Sequence, residues 1–284
     1  MMRMMSSDNV DNVASLMLNP EPEPDSDTLS NIGSVFLVQF STAASTCLGL
    51  DTCTVTQLSR VSREQVCCLA HTGLVTTYDV SSTALTRVWS VPCDPEARVT
   101  GISTCQESDS RTLVTSSSDG CVRVWDMREE GSKPALVLRD TSEHRGPPVT
   151  GVKPLSCVAA RSGASLLVAG TEQVGQDAWL LFWDTRAGGK LLGGYWSVHS
   201  DDVTSLQFSP DNCDLLASGG TDGHINVLDI TKSEEEEALT SCHNTNDSVA
   251  GIQWVGDKRI LVSTHTEGLQ DWAVDTGNYS SVTR

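Results

Sequence analysis

From residue 34 onward the chain is written in short apolar runs of strand length, each cut by a polar turn. Residues 117–126, SSDGCVRVWD, show the grammar: Asp119-Gly120 signals a turn, an alternating run follows, and Trp125-Asp126 closes it. The same text returns as TDGHINVLD ending at Asp229, DAWLLFWD at Asp184, HTGLVTTYD at Asp79 and TEGLQDW at Trp272. The closing aromatic or Leu positions are 78, 125, 183, 228 and 272, so the gaps are 47, 58, 45 and 44 residues. A second element lies upstream: VTGI at 99–102, VTGV at 149–152, VTSL at 203–206 and VAGI at 249–252. Between the two sit RTLVTS, SLLVAG, DLLASG and RILVST, each an apolar run of strand size. Each unit therefore reads strand, strand, hairpin, strand. Asp119, Asp222 and Glu267 are expected on one rim, in two-residue primed turns whose Gly tolerates positive φ.

A period near 45 residues with four short strands per unit predicts an all-β propeller of four-stranded blades. The chain resembles the WD-repeat family over about residues 34–284, on Asp119-Gly120 with Trp125-Asp126, on Trp183-Asp184, and on His199 with Asp222-Gly223. The resemblance implies five recognisable blades, ending near 79, 126, 184, 229 and 272; before them the acidic, Pro- and Glu-alternating composition predicts a disordered leader over 1–33. Rings of this family commonly close with seven blades. An open or incomplete ring lacking C-terminal blades is therefore expected, with VFLVQF (35–40) as an outer strand. The function implied is a non-catalytic scaffold for protein–protein interaction.

The resemblance also assigns a buried hydrogen-bonded tetrad to each repeat. In the fourth unit its members are His199, Ser218 and Asp222, with Leu228 where Trp belongs. In the second they are Thr115, Asp119 and Trp125, with Pro95 in place of His. His, Ser and Asp are also the residue types of a nucleophilic triad, which makes a Ser/His/Asp hydrolase the remote alternative. No nucleophile elbow or oxyanion loop accompanies them, and no catalytic residue is expected.

Two consecutive units end WDMR (125–128) and WDTR (183–186). In WD-repeat proteins this ending is found among substrate receptors of cullin-type ubiquitin ligases. That resemblance makes Arg128 and Arg186 candidates for docking on a ligase adaptor; the plainer reading is a local salt bridge. The third unit is longer than the others, and part of the excess falls at EQVGQD. Gln173, Val174, Gly175 and Gln176 are thus candidates for a recognition loop or a tolerated insertion. SEEEE (233–237) reads as a solvated acidic loop, or as a handle for basic partners with Ser233 as an acidophilic kinase site.

Charge sharpens the choice of partner. Across 284 residues, 37 acidic side chains against 19 basic ones leave a formal charge of −18. That excludes phosphate-neutralising nucleic-acid binding and anionic membrane surfaces, and favours other proteins with basic surfaces. The start lacks a signal-peptide core, and no apolar run approaches a membrane span. The ten cysteines form no CxxC pair, so neither metal nor cofactor is expected; they read as reduced thiols filling strands of a cytoplasmic or nuclear, non-secreted protein.

Overall fold

The computed structural model describes residues 54–281, except 82–84, 92–93, 95, 106–110, 130–132, 141–151, 162, 164 and 257. The expected leader over 1–33, the run 35–40 and Pro95 lie outside the described residues. The compact unit Val55–Arg284 carries twenty described strands in five antiparallel four-stranded sheets. Blade one holds β1 (Val55–Arg60), β2 (Gln65–Ala70), β3 (Val75–Asp79) and β4 (Thr86–Val91). Blade two holds β5 (Val99–Thr104), β6 (Thr112–Ser117), β7 (Cys121–Asp126) and β8 (Leu136–Arg139). Blade three holds β9 (Leu155–Ala160), β10 (Leu166–Thr171), β11 (Ala178–Asp184) and β12 (Leu191–His199). Blade four holds β13 (Val203–Phe208), β14 (Leu215–Gly220), β15 (His224–Asp229) and β16 (Leu239–Asn244). Blade five holds β17 (Val249–Val255), β18 (Arg259–Thr264), β19 (Leu269–Ala273) and β20 (Tyr279–Ser281). The architecture is a five-blade β-propeller with almost no helix.

Strands turn over at sharp hairpins, and the turn chemistry differs from the expectation. The loops joining second to third strands have three residues in blades two and four, 118–120 and 221–223; in blades one and five the turn spans 71–73 and 265–267, and Leu74 and Gly268, bonded back to Ala70 and Thr264, follow before the third strand. Only the last residue of each has positive φ: Gly73 at 85°, Gly120 at 74°, Gly223 at 80° and Glu267 at 65°. A primed two-residue turn would need φ > 0 at its first central residue or at both; a three-residue loop needs it once, at the end. The alignment of Glu267 with Asp119 and Asp222 is therefore corrected by one residue. Glu267 fills the glycine slot, and Thr266 stands where the Asp would be. In blades two and four that slot is also crowded: a Cβ on Gly120 would sit 2.9 Å from the Lys153 carbonyl, and one on Gly223 3.1 Å from that of Asp247.

Blade three shows a second correction. Its inner strand is Leu155–Ala160, not the VTGV text at 149–152, most of which lies outside the described residues. Leu155 stands 28 residues before Trp183, where Val203 stands 25 before Leu228. Most of the apparent excess thus belongs to the connection before the blade. The rest is the longer hairpin loop 172–177.

The cores lie between blades rather than within them. One cluster joins Cys67, Leu69 and Val75 of blade one to Ile102, Leu113 and Trp125 of blade two. Others join blade two to three through Val122, Leu138, Trp179 and Trp183, and three to four through Leu180, Phe182, Leu206 and Leu216. The last joins four to five through Ile225, Val227, Trp254 and Ile260. Five blades thus share four such cores among the described residues. Burying large aliphatic and aromatic side chains in this way contributes about 1.5–3 kcal/mol each.

Inner strands are also stitched side chain to backbone across each junction. Thr100 Oγ1 donates to the Leu155 carbonyl at 2.6 Å, Ser156 Oγ to that of Val203, and Thr204 Oγ1 to that of Val249 at 2.7 Å. The equivalent position in blade five is Ala250, which has no hydroxyl. Where blade four packs Ala217, Ile225 and Val227 against its successor, blade five carries Leu261, Leu269 and Asp271 by register, with Asp271 ion-paired to Arg259.

Candidate functional site

His199 ends β12, the outer strand of blade three, yet its ring lies inside blade four. Nδ1 is 3.1 Å from both Asp222 carboxylate oxygens, and Nε2 is 2.8 Å from Ser218 Oγ on β14. An ionised carboxylate can only accept, so Nδ1 carries the proton toward it. Asp222 also accepts from the Ser200 and His224 amides at 3.0 Å each. Burial pushes the Asp222 carboxyl up; the bonds from His199 and those two amides outweigh it and bring it down to about 2. His199 is 1% exposed and Ser218 0%, so no substrate reaches the hydroxyl. Leu228, where Trp was wanted, is simply buried apolar surface.

Blade two solves the same problem differently. Trp125 Nε1 donates to Thr115 Oγ1 at 3.0 Å. Asp119 is not held by a His. Arg123 on β7 reaches it at 2.5 Å, and Ser117 Oγ donates at 2.5 Å. Burial raises the Asp119 carboxyl, but bonds from Arg123, Ser117 and Cys121 hold it well below the usual carboxylate range. Arg123 was not anticipated. Its signal was there to read: a cation four residues past the turn Asp, in the unit that lacks the His.

The two Trp-Asp-x-Arg endings adopt one geometry. Arg128 Nε donates to Asp126 Oδ1 at 2.9 Å and Nη2 to Oδ2 at 2.7 Å; Arg186 repeats this on Asp184 at 3.1 and 2.9 Å. The guanidinium bond lowers Asp126 to about 2 and depresses Asp184 in the same sense. Both Arg side chains remain 72% and 76% exposed.

The hairpin of blade three is tied across the junction. Gln173 donates from its amide to Asp202 Oδ1 and from Nε2 to the Ser200 carbonyl, both at 2.7 Å. Val174 bridges to Asp177, and a Cβ on Gly175 would meet nothing within 4 Å. Gln176 is exposed. The acidic run at 233–237 is only partly solvated, which corrects the expected loop: Glu235 opens a short helix, α1 (Glu235–Ala238). Its carboxylate accepts from the Trp196 and Ser197 amides and from Ser197 Oγ, at 2.6, 3.0 and 3.0 Å, covering the edge of β12. Cys67, Cys68, Cys121 and Cys157 fill strands as expected, but Cys213 and Cys242 are exposed.

Among the described residues no group of three or more His, Cys, Asp or Glu could hold a metal, and no helix is long and apolar enough to cross a membrane.

The five-bladed sheet pattern and the two closing Trp-Asp pairs are those of WD repeats. The family model for the WD domain, G-beta repeat, matches residues 85–126 and 190–229. Each matched stretch runs from the outer strand of one blade through the third strand of the next, which is why His199 crosses a junction. The chain is 28% identical over 224 residues to an uncharacterized WD repeat-containing protein of Schizosaccharomyces pombe, covering 73% of this chain and 63% of that one. It is 25% identical over 232 residues to a WD repeat-containing protein 89 homolog of Dictyostelium discoideum, covering 81% and 57%. A chain in a crystal structure of the mitotic checkpoint complex shares the fold, with a TM-score of 0.60 at 20% identity, over 82% of this chain and 65% of that one. The chain spans less than two thirds of the length of these curated relatives.

Proposed function

We propose that this chain is a non-catalytic scaffold that binds a protein with a basic surface at the loop-bearing end of blades three to five. One observation carries the reading. The described loops at that end, 152–154, 172–177, 200–202, 221–223, 245–248 and 265–268, hold Glu172, Asp177, Asp201, Asp202, Asp222, Asp247 and Glu267, and their single base, Lys153, is ion-paired to Asp140. Summed, such acidic loops steer a cationic partner and raise its association rate. The buried Ser218 hydroxyl supports a structural role for the His199 set rather than hydrolysis. The free thiols fit a reducing compartment, cytoplasm or nucleus, which imaging of a fluorescent fusion would test. Affinity purification with mass spectrometry, comparing wild type with Glu172→Lys plus Asp177→Lys, tests the docking face. Partners should be lost in the charge-reversed form and with added salt; an unchanged, salt-insensitive set of partners overturns it.

A second reading has its own support. Arg128 and Arg186 present exposed guanidinium groups in one repeated geometry on adjacent blades, a form suited to docking on a ubiquitin-ligase adaptor. The adaptor should co-purify with wild type and be absent with Arg128→Ala plus Arg186→Ala. Equal recovery from both excludes that role for the pair.

A further inference from the structure

We propose that Ser233 is a phosphorylation site for a serine/threonine kinase with a basic substrate groove. The local sequence is Ser233-Glu234-Glu235-Glu236-Glu237, so the hydroxyl is followed by four consecutive carboxylates. A kinase whose groove carries Lys and Arg past the reacting centre gains charge-assisted contacts from such a sequence. Charge alone does not choose the residue, since several hydroxyls in this chain have an acid three positions on. Exposure chooses it. Thr76, Thr104, Ser116 and Thr264 have Asp79, Glu107, Asp119 and Glu267 at that spacing, but all four are buried in strands. Thr231 precedes Glu234 by three, but its hydroxyl donates to Asp229 at 2.6 Å. Ser233 is exposed, as are Glu234, Glu236 and Glu237.

The frame around it is fixed. On one side the Tyr195 hydroxyl donates to the Lys232 carbonyl at 2.6 Å. On the other, Glu235 turns inward and holds the Trp196 and Ser197 amides. The serine is thus presented between two anchors, with the outward acids beside it. Ser233 Oγ attacks the γ-phosphorus of a nucleoside triphosphate. The Oγ–P bond forms as the bond to the nucleoside diphosphate breaks, and the hydroxyl proton passes to the kinase's general base. The product adds about −1.5 to −2 charges to the outer face between blades three and four.

The experiment incubates the full chain with radiolabelled ATP and, in parallel, an acidophilic or a basophilic serine/threonine kinase. One phosphate should enter with the acidophilic enzyme only, map to Ser233 by peptide mass spectrometry, and vanish in Ser233→Ala. Glu236→Gln should slow the reaction about tenfold, the loss of one charge-assisted contact. Both substituted side chains are exposed, and matching melting curves show that the variants fold like wild type. Absence of phosphate on Ser233, equal labelling by the basophilic enzyme, or an unchanged rate for Glu236→Gln overturns the assignment.

Discussion

The hairpins of blades two and four carry the same Asp-Gly turn, but they anchor it in opposite ways. Asp222 in blade four is held by His199, which arrives from the outer strand of blade three, so the bond spans a junction. Asp119 in blade two is held by Arg123 and Ser117 of its own sheet. The Asp222 side chain is 7% exposed and that of Asp119 20%. The first arrangement locks one blade to the next. The second stiffens a single turn and leaves the junction with blade one to apolar packing and to the bonds from Gln57 Nε2 to the Ile102 carbonyl and from Thr104 Oγ1 to that of Arg60. A repeat can therefore lose its His without losing its turn, provided a cation appears on the neighbouring strand.

Breaking each anchor should separate these roles. Asp222→Ala removes the acceptor for His199 Nδ1 and for two amides, with the imidazole left buried. Orphaned buried polar groups cost about 1–3 kcal/mol each, so a loss of about 3 kcal/mol is expected. For an ordered region of this size that is about 6–12 °C in melting temperature, measurable by calorimetry. Asp119→Ala should cost less, about 1–2 kcal/mol, because the Arg123 guanidinium left behind can reach water. Equal losses would mean that the inter-blade span adds nothing.

Acid sharpens the same contrast. The folded Asp222 carboxyl lies near 2, below the ordinary value of 3.8. A depressed carboxyl contributes stability that is fully present above the unfolded value and is lost as pH falls through the folded one. The stability difference between wild type and Asp222→Asn should thus hold at pH 6 and shrink between about pH 4 and pH 2. A difference that grows on acidification would show that the bond to His199 does not depend on the ionised carboxylate.

The period, the blade number and the turn Asp residues were legible because each is a local pattern: strand-sized runs, Asp-Gly, a closing aromatic. His199, Ser218 and Asp222 could be grouped because the repeat carries them at fixed offsets. Three things were not legible. The inner strand of blade three, LSCVAA, lacks the opening Val shared by VTGI, VTSL and VAGI, so the similar VTGV upstream drew the register to 149–152. Arg123 substitutes for a His through space, and spacing along the chain does not say which side chain will face Asp119. Glu235 differs from its neighbours only in pointing at β12, which a run of identical residues cannot reveal.

Glu267 offers a smaller test of the hairpin comparison. It holds φ +65° in the slot filled by Gly73, Gly120 and Gly223. Gly120 and Gly223 are also forced by close contact with Lys153 and Asp247, loops of the following blade, whereas Glu267 projects into solvent. The side chain is sterically tolerated, but the backbone is strained. Glu267→Gly should therefore raise stability by about 1 kcal/mol. Glu267→Val, with a β-branched side chain at positive φ, should lower it. Identical melting of all three forms would show that the turn carries no strain.

The smallest effect is expected at the exposed forks. Arg128 and Arg186 each pair with an Asp two residues earlier, and neither guanidinium excludes water. The turn itself is held by a different bond: the Arg128 and Arg186 amides donate to the same carboxylates at 3.0 and 2.8 Å, and alanine keeps them. Exposed ion pairs add little because solvent screens them and ordering two side chains costs entropy. Arg128→Ala plus Arg186→Ala should accordingly leave the melting temperature unchanged at low and at high salt. A clear drop that disappears in high salt would show that the forks brace the blade corners, and would remove the grounds for reading their exposure as readiness for a partner.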